Sequence, residues 1–232
     1  MKKAVEICVE SADGALSAWK GGADRVEICA HRAVGGVTPG YAEVARACRE
    51  LTIPVHVLIR PRPGNFVYDR DEFARMSSDV ARSRTCGALG VVLGVLRADG
   101  TIDRKRTETL VEAAGPLSVT FHKAFDLVPD PFEALETLIA LKLDRVLTSG
   151  QAPTAREGAA LLAKLVSRAT GRITILGGGS LGLDDLPEMR AAGLSEVHAG
   201  SSAECEGKTD EALVRRLVLA WVDRVDPPPN GE

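Results

Sequence analysis

Eight short β-branched runs recur along the chain, and a longer segment rich in Ala, Leu, Arg and Glu follows each of them. Alternation with a period of two predicts a strand, and apolar spacing of three and four predicts a helix. The strands begin at Ala4 (AVEICV), Asp24 (DRVEICA), Val55 (VHVLIR), Ala88 (ALGVVLGVL), Leu117 (LSVTFHK), Asp144 (DRVLTS), Arg172 (RITILG) and Ser195 (SEVHAG). Helices are predicted over Ala12–Lys20, Tyr41–Arg49, Asp71–Cys86, Arg104–Ala113, Pro131–Leu141, Ala155–Ala169, Leu183–Ala191 and Thr209–Val222. Eight strand-helix units without a dividing linker predict a single α/β domain over residues 1–225, a closed (β/α)8 TIM barrel. A doubly wound open sheet is the competitor, but it leaves edge strands, and no run here is conspicuously short or guarded by lysine. The proline-rich end, residues 226–232, reads as a flexible tail.

Side chains alternate across a strand, so each barrel strand sends one parity to the helices and the other to the interior. Val5, Ile7 and Val9 suit the helix layer, which turns Glu6 and Cys8 inward. The same split turns Arg25, Glu27 and Cys29 inward from the second strand, His56 and Arg60 from the third, Thr120 and His122 from the fifth, and Glu196 and His198 from the eighth. Branched apolar residues usually fill such interiors. Buried unpaired charge costs several kcal/mol, on the order of a lost ion pair. These groups must therefore pair with one another in a structural lattice, reach water at the C-terminal mouth, or meet a polar ligand.

Composition narrows the field. The chain has 232 residues, 45% hydrophobic and 26% charged, and a formal charge of -3, which gives no broad reason to bind nucleic acid. No apolar stretch reaches the roughly 20 residues of a membrane span. Five cysteines, odd in number and without a CxxC pair, read as reduced thiols and predict a cytoplasmic location.

The stretch PVHVLIRPRPGNF ends the third strand with two arginines, each followed by a proline. Proline keeps the preceding residue extended. Arg60 and Arg62 are thus expected to sit on a pre-ordered loop that aims guanidinium forks at a carboxylate or phosphate. LTSG, containing Ser149, ends the sixth strand; LGGGS, with Gly177, Gly178 and Gly179, ends the seventh; and His198, Gly200 and Ser201 follow in HAGSSAEC. The loops after the seventh and eighth strands frequently cradle anions in this fold through backbone N–H groups, although three glycines also make a turn for purely conformational reasons. His122 stands at the end of the fifth strand, where Asp126 is expected to orient it for proton transfer.

Several motifs taken together resemble the CutC family: EICV at Glu6, GGADRVEICA at Gly21, GGVTPG at Gly35, VHVLIRPRPGNFVYDRDEFARM at Val55, VTFHKAFD at Val119, RVLTSG at Arg145 and ILGGGS at Ile175. The resemblance implies a TIM-type barrel, a cytoplasmic location and a connection with copper homeostasis. The family's charged motif positions match Glu6, Glu27, Arg60, Arg62, His122 and Asp126, while Lys123 replaces an arginine, and Pro63 and Asn65 replace a glycine and an aspartate. Two functions follow as expectations. Cys8 and Cys29, of one parity on neighbouring strands, could hold Cu(I). Alternatively Glu6, Glu27, Arg60, His122 and Asp126 serve an enzyme acting on a small anionic or phosphorylated molecule, with Arg62, Ser149, the glycines, His198 and Ser201 binding it. A catalytically idle metabolite-binding scaffold is a third reading. No organic cofactor motif is present, and a homo-oligomer remains open.

Overall fold

A computed structural model describes residues 3–222. Eight strands close into one parallel barrel. They are β1 (Ala4–Val9), β2 (Arg25–Ile28), β3 (Val55–Leu58), β4 (Gly90–Leu93), β5 (Ser118–Phe121), β6 (Arg145–Thr148), β7 (Thr174–Gly178) and β8 (Glu196–Ala199). Closure rests on β1, which pairs with β2 on one side and β8 on the other, Glu6 lying opposite Arg25 and His198. The expected (β/α)8 barrel is therefore the fold, and its sheet closes on itself without an edge strand. The part of the domain prediction beyond residue 222, and the tail at 226–232, lie outside the described residues.

Helices α1 (Ala12–Lys20), α2 (Tyr41–Glu50), α3 (Arg70–Thr85), α4 (Arg104–Ala114), α5 (Pro131–Ala140), α6 (Ala159–Ala169), α7 (Leu186–Ala191) and α8 (Glu211–Val222) separate and surround the strands. Local chemistry sets their starts. Asp69 and Glu72 exchange backbone hydrogen bonds in a capping box before α3, and Asp130 caps α5 ahead of Pro131. Three helices begin later than the pattern predicts. The chain before α6 turns so that Gly158 packs directly on the backbone of Ser149 and Gly150. A 3-10 turn over residues 183–185 precedes α7. Lys208–Thr209 (β10) pairs with Glu204–Cys205 (β9) as a small antiparallel hairpin, which takes Thr209, the expected first residue of the last helix, into a strand.

The alternation of side chains divides the apolar residues into two clusters. Val5, Ile7, Val26, Ile28, Val57 and Ile59 belong to the large core between barrel and helices. Cys8, Cys29, Leu58 and Val92 form a separate small cluster inside the barrel. Burial of the first cluster supplies the hydrophobic stabilisation, at roughly 25 cal/mol per Å². The second is too small to fill the interior, so charged side chains complete it. Among the described residues no helix is long and apolar enough to cross a membrane.

Candidate functional site

The deepest interior layer is an ion lattice. Arg25 joins Glu6 through Nε and Glu196 through Nη2, the latter at 2.7 Å. Arg145 donates to the same Glu196 oxygen at 2.8 Å and to Ser118 Oγ at 2.7 Å. His198 Nδ1 lies 2.7 Å from the remaining oxygen of Glu6. Burial alone would raise the Glu6 carboxyl, yet Arg25 and the hydrogen bond from His198 hold it well below the usual range. Because Glu6 stays anionic, Nδ1 is the protonated nitrogen of that pair. Burial pulls His198 down, but its bond to Glu6 and the nearby Glu27 outweigh this and raise it. The interior charges do pair in a lattice, but it is built from Glu6, Arg25, Arg145, Glu196 and His198 and takes in neither Glu27 nor Arg60.

Above the lattice Glu27, Cys8 and Cys29 line the base of a cavity of about 530 Å³ at the C-terminal end of the barrel. Cys8 Sγ lies 3.6 Å from Cys29 Sγ and 3.9 Å from Glu27 Oε1. Glu27 Oε2 is buried and has no hydrogen-bond partner. Burial pushes the Glu27 carboxyl up to about 7, with His198 acting in the opposite sense. The Cys8 thiol is raised well above its usual value by its contact with Cys29, by burial and by Glu27, which makes it a poor nucleophile as it stands.

His122 closes one wall. Its Nδ1 accepts the backbone N–H of Ala124 at 3.2 Å, so in the neutral ring the proton sits on Nε2, and that buried atom has no partner. Phe66 packs against the ring at 4.8 Å between centroids. Burial and the neighbouring Arg60 depress His122 to about 3. The histidine is thus a neutral donor across physiological pH and not a ring that titrates near neutrality. Room for it comes from Gly94, where a Cβ would lie 2.4 Å from His122 Cε1.

Asp126 does not orient His122, as the sequence reading expected. Its oxygens accept from Lys123 Nζ at 2.7 Å, Thr148 Oγ1 at 2.5 Å and the backbone N–H groups of Ser149 and Gln151. Ser149 Oγ in turn meets Lys123 Nζ at 2.7 Å and the carbonyl of Ala152 at 2.6 Å. The pair therefore fixes Lys123, whose side chain lines the cavity.

Arg60 also departs from expectation. Its guanidinium donates to the carbonyls of Gly35 and Gly36 at 2.9 Å and of Gly64 at 2.8 Å, and it lies over the Phe66 ring. The fork clamps the loops after β2 and β3 together instead of projecting at a ligand, although the residue remains part of the cavity wall. Arg62 lies outside the wall. It pairs with Glu72 at 2.5 Å and donates to Asn65 and Val67 within its own loop. A polar side chain with loop acceptors nearby satisfies itself locally, and that is what holds both arginines of RPRPGNF.

Of the three consecutive glycines, only Gly179 lines the cavity. Gly177 and Gly178 are packing positions, where a Cβ would press on Leu194 at 2.4 Å and on Leu147 at 2.7 Å. Gly200 and Ser201 stand at the rim beside Arg32. Arg32 went unpredicted because it lies in a loop, where strand parity carries no information. It donates to the Cys8 carbonyl at 3.3 Å and forms an ion pair with Glu204 of the β9–β10 hairpin. Gly90 and Gly94 did leave a trace in the sequence: they take the inward parity in GVVLG on either side of Val92, which signals that bulky side chains intrude from neighbouring strands.

The CutC family model matches residues 3–203. A CutC family protein of Mesorhizobium japonicum is 54% identical over 195 residues, spanning 84% of this chain and 76% of the relative. One from Chromobacterium violaceum is 46% identical over 205 residues, spanning 88% and 83%. The solved structure of CutC from Streptococcus agalactiae, a protein named for copper homeostasis, superposes with a TM-score of 0.80 at 33% identity, covering 86% of this chain and 98% of that one. Thiamine phosphate pyrophosphorylase from Pyrococcus furiosus superposes at 0.67 with 16% identity, covering 95% and 96%, a likeness of fold alone.

Proposed function

The chain belongs to the CutC family, and from that premise we propose that its barrel mouth binds and turns over a small anionic metabolite, with His122 donating to the substrate oxygen on which negative charge develops. The observation that carries this reading is the Nε2–H of His122, buried in the cavity wall without a partner. A neutral donor that an oxyanion reaches in a low-dielectric site stabilises it without surrendering its proton, an effect worth several kcal/mol at a transition state, on the order of 3. Lys123, Arg32 and the backbone at Gly179, Gly200 and Ser201 provide the anion-facing rim. Arg60 and Phe66 keep His122 in place, and Asp126 with Ser149 keeps Lys123 in place. A cytoplasmic location belongs to this reading, supported by five unpaired cysteines. The test is an NMR screen of phosphorylated and carboxylated metabolites against the wild-type chain and His122→Phe. Turnover by the wild type, with binding but little turnover by the variant, supports the assignment; no binding of any panel anion by the wild type sinks it.

A second reading has its own observation. Cys8 and Cys29 stand 3.6 Å apart at the cavity base, and two thiolates suit Cu(I) as a cargo ion. The name of the Streptococcus agalactiae relative points the same way. Anaerobic Cu(I) titration of the Cys8→Ala plus Cys29→Ala chain decides it, since unchanged stoichiometry removes the pair from any copper site.

A further inference from the structure

Two histidines stand in the wall of the cavity, one following β5 and one on β8, three strands apart round the barrel. Their surroundings are opposite. His122 lies near the Arg60 cation and stays neutral. His198 is flanked by carboxylates: its Nδ1 is 2.7 Å from Glu6 Oε1, and one oxygen each of Glu6 and Glu27 and a nitrogen of its ring lie within 4.8 Å of one another. Arg25 engages the other Glu6 oxygen, so that buried carboxylate stays anionic and orients the imidazole. Proton exchange with a ligand therefore falls to Nε2, on a cavity-lining side chain that keeps 13% of its surface exposed while Glu6 keeps none. A carboxylate on one ring nitrogen stabilises the imidazolium that forms when the other nitrogen takes a proton. Burial and Arg25 work against that cation; the Glu6 bond and the charges of Glu27 and Glu6 outweigh them. Groups whose surroundings drive them apart in this way divide acid and base duties between them. His122 keeps its proton, and His198 accepts one.

We propose that His198, oriented by Glu6, is the base that removes a proton from the carbon beside a carbonyl of the bound anion, while His122 donates to that carbonyl oxygen. The inference rests on the metabolite reading and narrows its substrate to a phosphorylated or carboxylated compound that bears a ketone or aldehyde with an adjacent C–H. In the step the C–H bond breaks and its proton passes to His198 Nε2. The electron pair left on carbon forms the C=C bond of an enolate, and the carbonyl π pair moves to oxygen, where the Nε2–H of His122 meets the developing charge. Return of the proton to the same carbon restores the substrate. Delivery to the former carbonyl carbon, with the hydroxyl proton shifting between the two oxygens, isomerises an α-hydroxy carbonyl compound, so no oxidant or second reactant is needed. Cys8, Cys29 and Leu58 line the same cavity and give it an apolar floor that keeps water from the enolate.

Proton NMR of the reduced full-length chain in D2O tests the step, with dihydroxyacetone phosphate, glycolaldehyde phosphate, pyruvate and 2-oxoglutarate as probes and saturation transfer as the measure of binding. The expected result is a probe that binds and whose α-proton signal decays into deuterium faster than in buffer. His198→Asn places an amide nitrogen where Nδ1 was, which keeps a donor on Glu6 and removes the base. It should slow the decay by roughly 10²-fold or more with binding retained, circular dichroism confirming the fold. His198→Gln is the second variant, used where the shorter side chain unsettles the lattice. Binding by the wild type without faster decay overturns the proton transfer and leaves the metabolite reading standing. Wild-type decay in either folded variant places the base elsewhere and overturns the proposal. Failure of every probe to bind overturns the proposal together with the reading beneath it.

Discussion

The backbone N–H of Ala124 points at Nδ1 of His122, 3.2 Å away, and so assigns the imidazole proton to the buried Nε2. The polarity of the pocket wall follows from that one bond. With burial and Arg60 holding the ring at about 3, His122 stays a neutral N–H donor at any pH well above that value. Nitrogen-15 NMR of labelled histidine should show His122 as the neutral Nε2–H tautomer at pH 5. An imidazolium at pH 6 would remove the donor role proposed for it.

Acid stability should carry the signature of two buried histidines. Burial lowers His56 to about 4, and burial with Arg60 lowers His122 to about 3, against about 6.5 in the unfolded chain. Between these values the unfolded state binds more protons, so each histidine's contribution is intact above pH 6.5 and is lost as pH falls towards 4 and 3. At pH 5 the loss is about 2 kcal/mol for each. Glu27, pushed up to about 7, titrates with the opposite sign, so the wild-type profile is a balance. The histidine part is the difference between wild type and His56→Gln in urea unfolding at pH 7.5 and pH 5. A parallel pair of profiles would contradict it.

Arg60→Ala should destabilise the chain before it affects any ligand. The substitution leaves the carbonyls of Gly35, Gly36 and Gly64 without their donor and removes the guanidinium from Phe66. Charge-assisted bonds to buried acceptors are worth about 1.5–3 kcal/mol apiece, and partial access of water reduces the sum to about 3 kcal/mol. Arg60→Lys should recover a fraction of this, because one ammonium cannot reach carbonyls on both loops at once. Wild-type urea midpoints for Arg60→Ala would show that the clamp is dispensable.

The barrel was readable because its strands follow a strict two-residue period, with Val5, Ile7 and Val9 on one side and Glu6 and Cys8 on the other. The same parity carries Glu6, Cys8, Glu27, Cys29, His122 and His198 into the interior. It failed beyond the strand ends. Arg60 and Arg62 both occupy the loop that their prolines predicted, yet their forks bind that loop's own acceptors, because partner choice depends on where the loop after β2 and the start of α3 lie in space. Asp126 shows the same limit. Its spacing from His122 allowed an orienting bond, but the 3-10 turn over Lys123–Leu127 carries it to Lys123, Thr148 and Ser149.

Gly94→Ala tests whether the position of His122 matters as much as its protonation. An ideal Cβ at residue 94 would lie 2.4 Å from His122 Cε1, 2.5 Å from Nδ1 and 3.2 Å from the Ala124 Cβ, while Phe66 packs on the ring at 4.8 Å. The imidazole has to move, and the Ala124 bond that fixes its tautomer is broken or stretched. Overpacking of this kind costs about 1–3 kcal/mol, so the variant should fold with a lowered urea midpoint. Gly90→Ala is the matched control, since its Cβ would press on His56 at 2.5 Å in a layer that does not line the cavity. Both variants should lose comparable stability, but only Gly94→Ala should shift the His122 nitrogen resonances and cut turnover of an anionic substrate by roughly 10²-fold, as loss of one oxyanion donor does. Equal turnover in the two variants would show that the His122 donor makes no contact with the reacting atoms.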